Sequence, residues 1–360
     1  MPVLDLSLLG WDASWSDAWA RACPDGADEI SPGRVSRVDR GVLEVLTAEG
    51  PLRVTIGGDL LEAAAAQPSA APCTGDWTGV RAWPDARLTA EFVLARRTAV
   101  VRAAASGRSH GQTLAANVDS VLVVASLAVE PDIGRLERLL ALSWESGAVP
   151  VVVLTKADLV ADAEVIRAEV LAAAPGIDVL LVSAVTGEGI DEIAAHVGPG
   201  RTAALLGQSG VGKSTLVNAI TGADRLATRE VRADGKGRHT TSHRELVLLP
   251  TGGVIIDTPG LRGVGIWDAD EGIRQVFSDI EELAAHCRFT DCAHETEPGC
   301  AVLAAVEGGD LPERRLGSWR KLQREARWMA MRADARLRSE QSRKWRSITK
   351  SMRRHGVFRP

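Results

Sequence analysis

Gly207-Gln208-Ser209-Gly210-Val211-Gly212-Lys213-Ser214, followed by Thr215, decides the reading of this chain. It satisfies the phosphate-loop pattern G-x-x-x-x-G-K-[ST] at every fixed position. The apolar run 202–206 before it suits a buried strand, and 215–220 after it reads as a helix. Gly207, Gly210 and Gly212 let backbone N–H groups converge on phosphate oxygens with no Cβ in the way. The helix that follows presents its positive end. Lys213 is placed to reach the β- and γ-phosphates, and the Ser214 hydroxyl to hold Mg²⁺.

Outward from the loop the pattern is α/β. Apolar strands are expected at 120–125, 149–154, 179–182, 245–249 and 254–256, with helices at 132–142 and 161–173. Strands alternating with helices imply a mostly parallel sheet covered on both faces. Upstream, short strands at 41–46, 52–56, 77–82, 90–94 and 98–102 suggest a five-stranded barrel of oligonucleotide-binding (OB) type. Such barrels bind RNA or serve as inert spacers, and both readings stay open. The stretch 61–72 reads as a variable loop or short helix. Trp11, Trp15 and Trp19 fall on one face of a helix, to pack on the body or to stack on bases.

Thr155-Lys156-Ala157-Asp158 ends a predicted strand and resembles the N-K-x-D motif of GTPases. Asp158 would accept from guanine N1–H and N2–H₂, donors that adenine lacks there. Lys156 would pack over the base. Thr155 stands where Asn is usual, which puts the contact to guanine N7 in doubt. Ser183-Ala184 resembles the second base-reading loop, where a backbone N–H meets guanine O6. Asp257-Thr258-Pro259-Gly260 resembles the D-x-x-G switch, with Asp257 facing Mg²⁺ through water and the Gly260 N–H meeting the γ-phosphate. Within Gly237-Arg238-His239-Thr240-Thr241, Thr241 is the first choice and Thr240 the second to complete the Mg²⁺ shell.

The order of these motifs is unusual. Base-reading motifs come first and phosphate motifs last, as if the same sheet were cut at another surface loop. The second switch then leads directly into the C-terminal region. There Cys287, Cys292, His294 and Cys300 offer three thiolates and one imidazole, a set that closes a tetrahedral structural zinc shell. Together these residues resemble the small ribosomal subunit biogenesis GTPase RsgA family, with 113–119 and 257–262 leading to Trp267-Asp268 as further support. The resemblance covers about Arg34 onward and leaves the first 33 residues outside.

Residues 1–33 read as an N-terminal extension, and the resemblance implies three parts after it: an OB-type barrel over 34–108, a circularly permuted α/β P-loop GTPase domain over 109–265, and a mostly helical zinc-binding domain over 266–360 with a basic tail. It implies GTP and GDP with Mg²⁺, one structural Zn²⁺, and the small ribosomal subunit with its rRNA as partner. Leu261 occupies the position of the Gln that orients water in Ras-like proteins, so His239 becomes the candidate, with a solvated loop histidine as the alternative. Lys213 and Thr241 complete the expected catalytic set, and slow intrinsic turnover is expected.

Composition agrees with a soluble protein: 45% of the 360 residues are hydrophobic and 25% charged. No apolar run approaches the roughly 18 residues that span a bilayer, and no signal peptide is evident. A cytoplasmic monomer without membrane attachment is expected. The five cysteines, with Cys23 and Cys73 standing alone, suit reduced thiols and a metal site. The net charge of −5 hides an asymmetry: residues 312–360 hold sixteen Lys or Arg against four Asp or Glu, a local +12. Trp319, Trp328 and Trp345 lie among these cations, to stack on RNA or to pack. A P-loop ATPase or kinase is countered by Asp158 and Ser183-Ala184. A non-catalytic RNA-binding module is countered by the intact Lys213, Ser214 and Asp257.

Overall fold

The computed structural model describes residues 3–23, 29–103, 111–222, 244–260, 265 and 269–333. The chain begins with a 3₁₀ turn over Leu6–Leu9 and a helix, α1 (Ala13–Ala22). Asp12 caps α1 in extended conformation, and its carboxylate accepts from Trp15 N at 2.9 Å. Trp11 therefore precedes the helix and does not share its face, contrary to the sequence reading. The tryptophans still gather inward, with Trp11 and Trp15 ring centroids 4.7 and 6.3 Å from Trp77 and Trp19 5.5 Å from Phe92. They pack against the body.

Five strands close a barrel: β1 (Ile30–Asp39), β2 (Val42–Thr47), β3 (Gly50–Ile56), then a short helix α2 (Gly58–Ala66), then β4 (Trp77–Ala82) and β5 (Leu88–Val93). Their order is β1-β2-β3-β5-β4, with β4 returning to pair with β1. Val35, Leu43, Val45, Val54 and Val80 fill the interior. The strand count matches the sequence reading, but the membership does not. The first strand starts inside the stretch read as an extension. Ser31-Pro32-Gly33 looks like a turn, yet the strand needs Gly33, where a Cβ would lie 2.4 Å from Val45 Cγ1. The strand expected at 98–102 leaves the barrel. As β6 (Ala99–Ala103) it pairs with β7 (Gly111–Ala116) in a separate ribbon.

The α/β layer follows: β8 (Ser120–Ser126), α3 (Ile133–Glu145), β9 (Val149–Thr155), α4 (Ala163–Ala173), β10 (Val179–Val182), α5 (Ile190–His196), β11 (Thr202–Gly207), α6 (Lys213–Thr221), β12 (Glu245–Leu248) and β13 (Val254–Asp257). The order is β10-β9-β8-β11-β13-β12, and every pairing is parallel except β12–β13. Successive side chains of β8 enter opposite cores: Val121 and Val123 on one face, Leu122 and Val124 on the other. That is why the strands read as unbroken apolar runs. The chain winds outward from β8 through β9 to β10, then returns to lay β11 on the other side of β8. The loops after β8 and β11 thus flank the switch point where doubly wound sheets bind ligands, with the loop after β9 one strand further out.

Among the described residues four helices follow: α7 (Asp270–Val276), α8 (Ser278–Ala284), α9 (Ala301–Gly308) and α10 (Glu313–Ala333). Gly272 lets α7 touch α3, since a Cβ there would sit 2.0 Å from Ala141 O. Buried Arg315 ties α10 down through Asp279 at 2.5 and 2.8 Å, Glu137 at 3.3 Å and the carbonyls of Ala173 and Val276. Buried Arg34 has the same role upstream, donating to the carbonyls of Leu9, Gly75 and Asn117. It joins the N-terminal turn, the barrel and the entry to the sheet, and burial pulls its pKa down to about 10. Among the described residues no helix is long and apolar enough to cross a membrane.

Candidate active site and metal centre

Gly207 ends β11 against β8, where a Cβ would lie 2.4 Å from Val124 O. Gly210 and Gly212 take φ of +84° and +98°, so the loop turns as only glycine does cheaply. Helix α6 then starts at Lys213. The Lys213 ammonium turns back over the loop, 3.1 Å from Gly207 O and 2.8 Å from Gln208 O. Its burial pulls the pKa down to about 8, against the opposing pull of Asp257. The Ser214 hydroxyl donates to Asp257 Oδ2 at 3.0 Å, which joins the two residues expected around Mg²⁺. Gly260 lies against the loop, where a Cβ would sit 2.5 Å from Ser209 Cα. Thr258 anchors this segment by donating to Leu205 O at 2.5 Å.

The base-reading residues meet the same loop. Thr155, at the end of β9, donates to Val211 O at 2.5 Å and lies 3.1 Å from Ala125 O. Lys156 adopts a left-handed conformation, φ +60°, that aims its ammonium at Gly210 O, 3.3 Å away. Ala157 and Asp158 form a 3₁₀ turn with Leu159. Buried Ser183 donates to Asp158 Oδ1 at 2.5 Å and accepts from Val185 N and Thr186 N at 3.3 and 3.2 Å. Ala184 follows it in the same turn, half-buried. Thr215 is exposed on the first turn of α6. Residues far apart in sequence, 155–158, 183–184, 207–215 and 257–260, thus form one site. His239, Thr240, Thr241 and Leu261 lie outside the described residues.

Two contributors escaped the sequence reading. Thr258 occupies a variable position of the D-x-x-G pattern. Arg135, in the first turn of α3, donates Nε to the side-chain amide oxygen of Gln208 at 3.0 Å, and Nη1 also donates. Asp132, the α3 cap, was the available signal, because the helix after β8 must start beside the loop after β11.

Cys287, Cys292, His294 and Cys300 offer ligand atoms that all lie within 4.8 Å of one another. His294 Nδ1 is 3.4 Å from Cys300 Sγ and 3.6 Å from Cys287 Sγ, and these two sulfurs are 3.8 Å apart. A tetrahedral zinc with bonds of about 2.3 Å to sulfur and about 2.05 Å to nitrogen has edges of about 3.8 and 3.6 Å. The donor set therefore fits the ion. The Glu297 carboxylate braces the intervening loop by accepting from the backbone of Ala293, Glu295 and Thr296, and these bonds draw its pKa down to about 2. Trp319 packs over His294 at 5.5 Å and donates to Glu281 at 3.3 Å, whereas Trp328 is half exposed. Trp345 and the rest of the basic tail beyond 333 lie outside the described residues.

A family model described as RsgA GTPase matches residues 93–267. The chain is 54% identical to a protein of Streptomyces coelicolor named small ribosomal subunit biogenesis GTPase RsgA, over 98% of this chain and 93% of that one. A protein of the same name from Streptomyces avermitilis is 56% identical over 94% of this chain and 90% of that one. The crystal structure of YjeQ from Thermotoga maritima aligns with a TM-score of 0.59 at 26% identity, covering 81% of this chain and 97% of that one. YloQ, described as a circularly permuted GTPase, shares the fold with a TM-score of 0.56 at 24% identity, over 84% and 97% of the two chains. Coverage of 98% takes in the N-terminal stretch that the motif-based resemblance had left outside.

Proposed function

The chain belongs to the RsgA GTPase family, and we propose that it hydrolyses GTP to GDP and phosphate on the small ribosomal subunit, whose late maturation it assists. One observation carries the reading: the Thr155–Val211 and Ser183–Asp158 bonds bring a guanine-type loop and a phosphate loop together at the switch point. An ATPase or kinase has no use for a carboxylate held in that position.

Asp158, oriented by Ser183, accepts from guanine N1–H and N2–H₂. The Thr155 hydroxyl is committed to Val211 O, so Thr155 braces the loop and base selection falls to Asp158 and the backbone at Ala184. The N–H groups of 208–213 and the Lys213 ammonium hold the phosphates. Ser214 and Thr241 would hold Mg²⁺, with Asp257 facing it through water. The ion supplies charge neutralisation at the β- and γ-phosphate oxygens when bound. The Gly260 N–H meets the γ-phosphate. His239 orients the attacking water, since the Leu261 side chain has no polar atom to do so.

One structural zinc at Cys287, Cys292, His294 and Cys300 holds the C-terminal helices, and the cations of 312–360 meet rRNA phosphates. The protein acts as a cytoplasmic monomer. The test is the rate of GTP hydrolysis with and without purified small subunits, with ATP as comparator. A slow GTP-specific rate that rises severalfold on subunits supports the reading. Equal use of ATP, or no stimulation, overturns it.

A further inference from the structure

The cleft between the start of α3 and the middle of α10 opens beside the P-loop. It has a volume of about 240 Å³ and is lined by Asp132, Gly134, Arg135, Arg138, Ser318 and Lys321. The two helices meet at Gly134, where a Cβ would be 3.7 Å from Ser318 Oγ. Two carboxylates face the cations here. Asp132 is engaged as the α3 cap, accepting from Arg135 N at 3.0 Å, and Glu325 pairs with Arg138 at 2.6 Å. Arg135 and Lys321 remain as the cations an incoming anion meets. Lys321 is exposed and has no ion pair among the described residues. Along α10, Lys321, Arg324 and Trp328 recur at i, i+3 and i+7 on one exposed face. That stripe rises roughly 10 Å, the reach of two nucleotides or so, and ends on an aromatic ring.

We propose that this cleft seats a backbone phosphate of single-stranded RNA running along α10, and that the Arg135–Gln208 contact reports its occupancy to the P-loop. The inference rests on the proposed RNA partner and adds the site and the relay. A phosphate on Arg135 competes with Gln208 for the guanidinium. Gln208 sits in the loop whose N–H groups face the nucleotide, so RNA and nucleotide each change the other's affinity by one common factor.

The test uses the full-length protein and a fluorescein-labelled RNA 12-mer, read by anisotropy over a salt series, with and without a non-hydrolysable GTP analogue. In Arg135→Ala/Lys321→Ala, RNA affinity is expected to fall about tenfold or more. The slope of log K against log salt should shrink by about 0.7, because one phosphate of a single strand is no longer neutralised by the protein. Arg135→Lys keeps the charge and loses the forked contact to Gln208, so RNA affinity stays within about twofold while the nucleotide effect on it disappears. Unchanged RNA affinity and salt slope in the double variant overturn the site. Equal competition by millimolar inorganic phosphate and by unlabelled RNA of the same phosphate content would make it a free-anion site and overturn the RNA assignment. An unchanged nucleotide effect in Arg135→Lys overturns the relay. If small subunits bind the double variant as tightly as the parent and still stimulate its hydrolysis, the cleft is refuted and the proposed function stands.

Discussion

Nucleotide affinity should fall with rising pH because of Lys213. Burial holds its pKa at about 8 in the nucleotide-free protein, well below the ordinary lysine value of 10.5. A bound polyphosphate stabilises the ammonium and raises that pKa again, so binding above about pH 8 takes up a proton. The bound form carries the charge throughout, and the apparent dissociation constant scales with the inverse of the protonated fraction of the free protein. It should rise about 1.1-fold at pH 7, about twofold at pH 8 and about fourfold at pH 8.5, relative to its value at low pH. Stability of the nucleotide-free protein follows the opposite sign. Its unfolded state binds more protons between about pH 8 and 10.5, so stability rises there as affinity falls. Calorimetry of GDP binding in two buffers of different ionisation heat reads both quantities, with about half a proton taken up at pH 8. A dissociation constant flat from about pH 7 to 8.5, with no proton uptake, would refute the lowered pKa of Lys213 and the burial argued to cause it.

Other expectations follow from the same geometry. Asp158→Asn should cost about 1.5–3 kcal/mol of GTP affinity and shift preference to xanthosine triphosphate, by competition binding; equal GTP affinity in both proteins would sink the base assignment. Gly260→Ala places a Cβ 2.5 Å from Ser209 Cα, so overpacking of about 1–3 kcal/mol should weaken binding of a GTP analogue while leaving GDP affinity nearly unchanged. Cys292→Ser should lower bound zinc below one equivalent and loosen the segment 287–300, with nucleotide affinity kept; elemental analysis and calorimetry decide it. Arg34→Met strips the buried carbonyls of Leu9, Gly75 and Asn117 of their donor and should cost about 3 kcal/mol or more in denaturant unfolding.

Much of the fold was legible because sheet burial is written locally. Each strand of the α/β layer is a short run of Val, Ile, Leu and Ala bounded by turn residues, and its observed limits fall within about two residues of the reading. The motif loops were legible because phosphate and guanine recognition fix residue types at fixed spacings. The first barrel strand was not, because Pro32 and Gly33 carry the local signature of a turn and only the close approach of Val45 explains the glycine. Helix α1 started late because Asp12 spent its side chain on the cap. The role of Thr155 was equally hidden. Its partner, Val211 O, lies 56 positions away and exists only once β9 and β11 flank β8. Nothing local marks Arg34 or Arg315, since each meets three separate segments that only the fold brings together.

In the proposed function the second switch, ending at Gly260, is the lever between γ-phosphate and the C-terminal helices. Sedimentation of the protein with purified small subunits, in a non-hydrolysable GTP analogue and in GDP, tests this most directly. Clearly tighter binding is expected in the analogue, with the subunit tightening analogue binding by the same factor. Identical subunit affinity in the two states would contradict it.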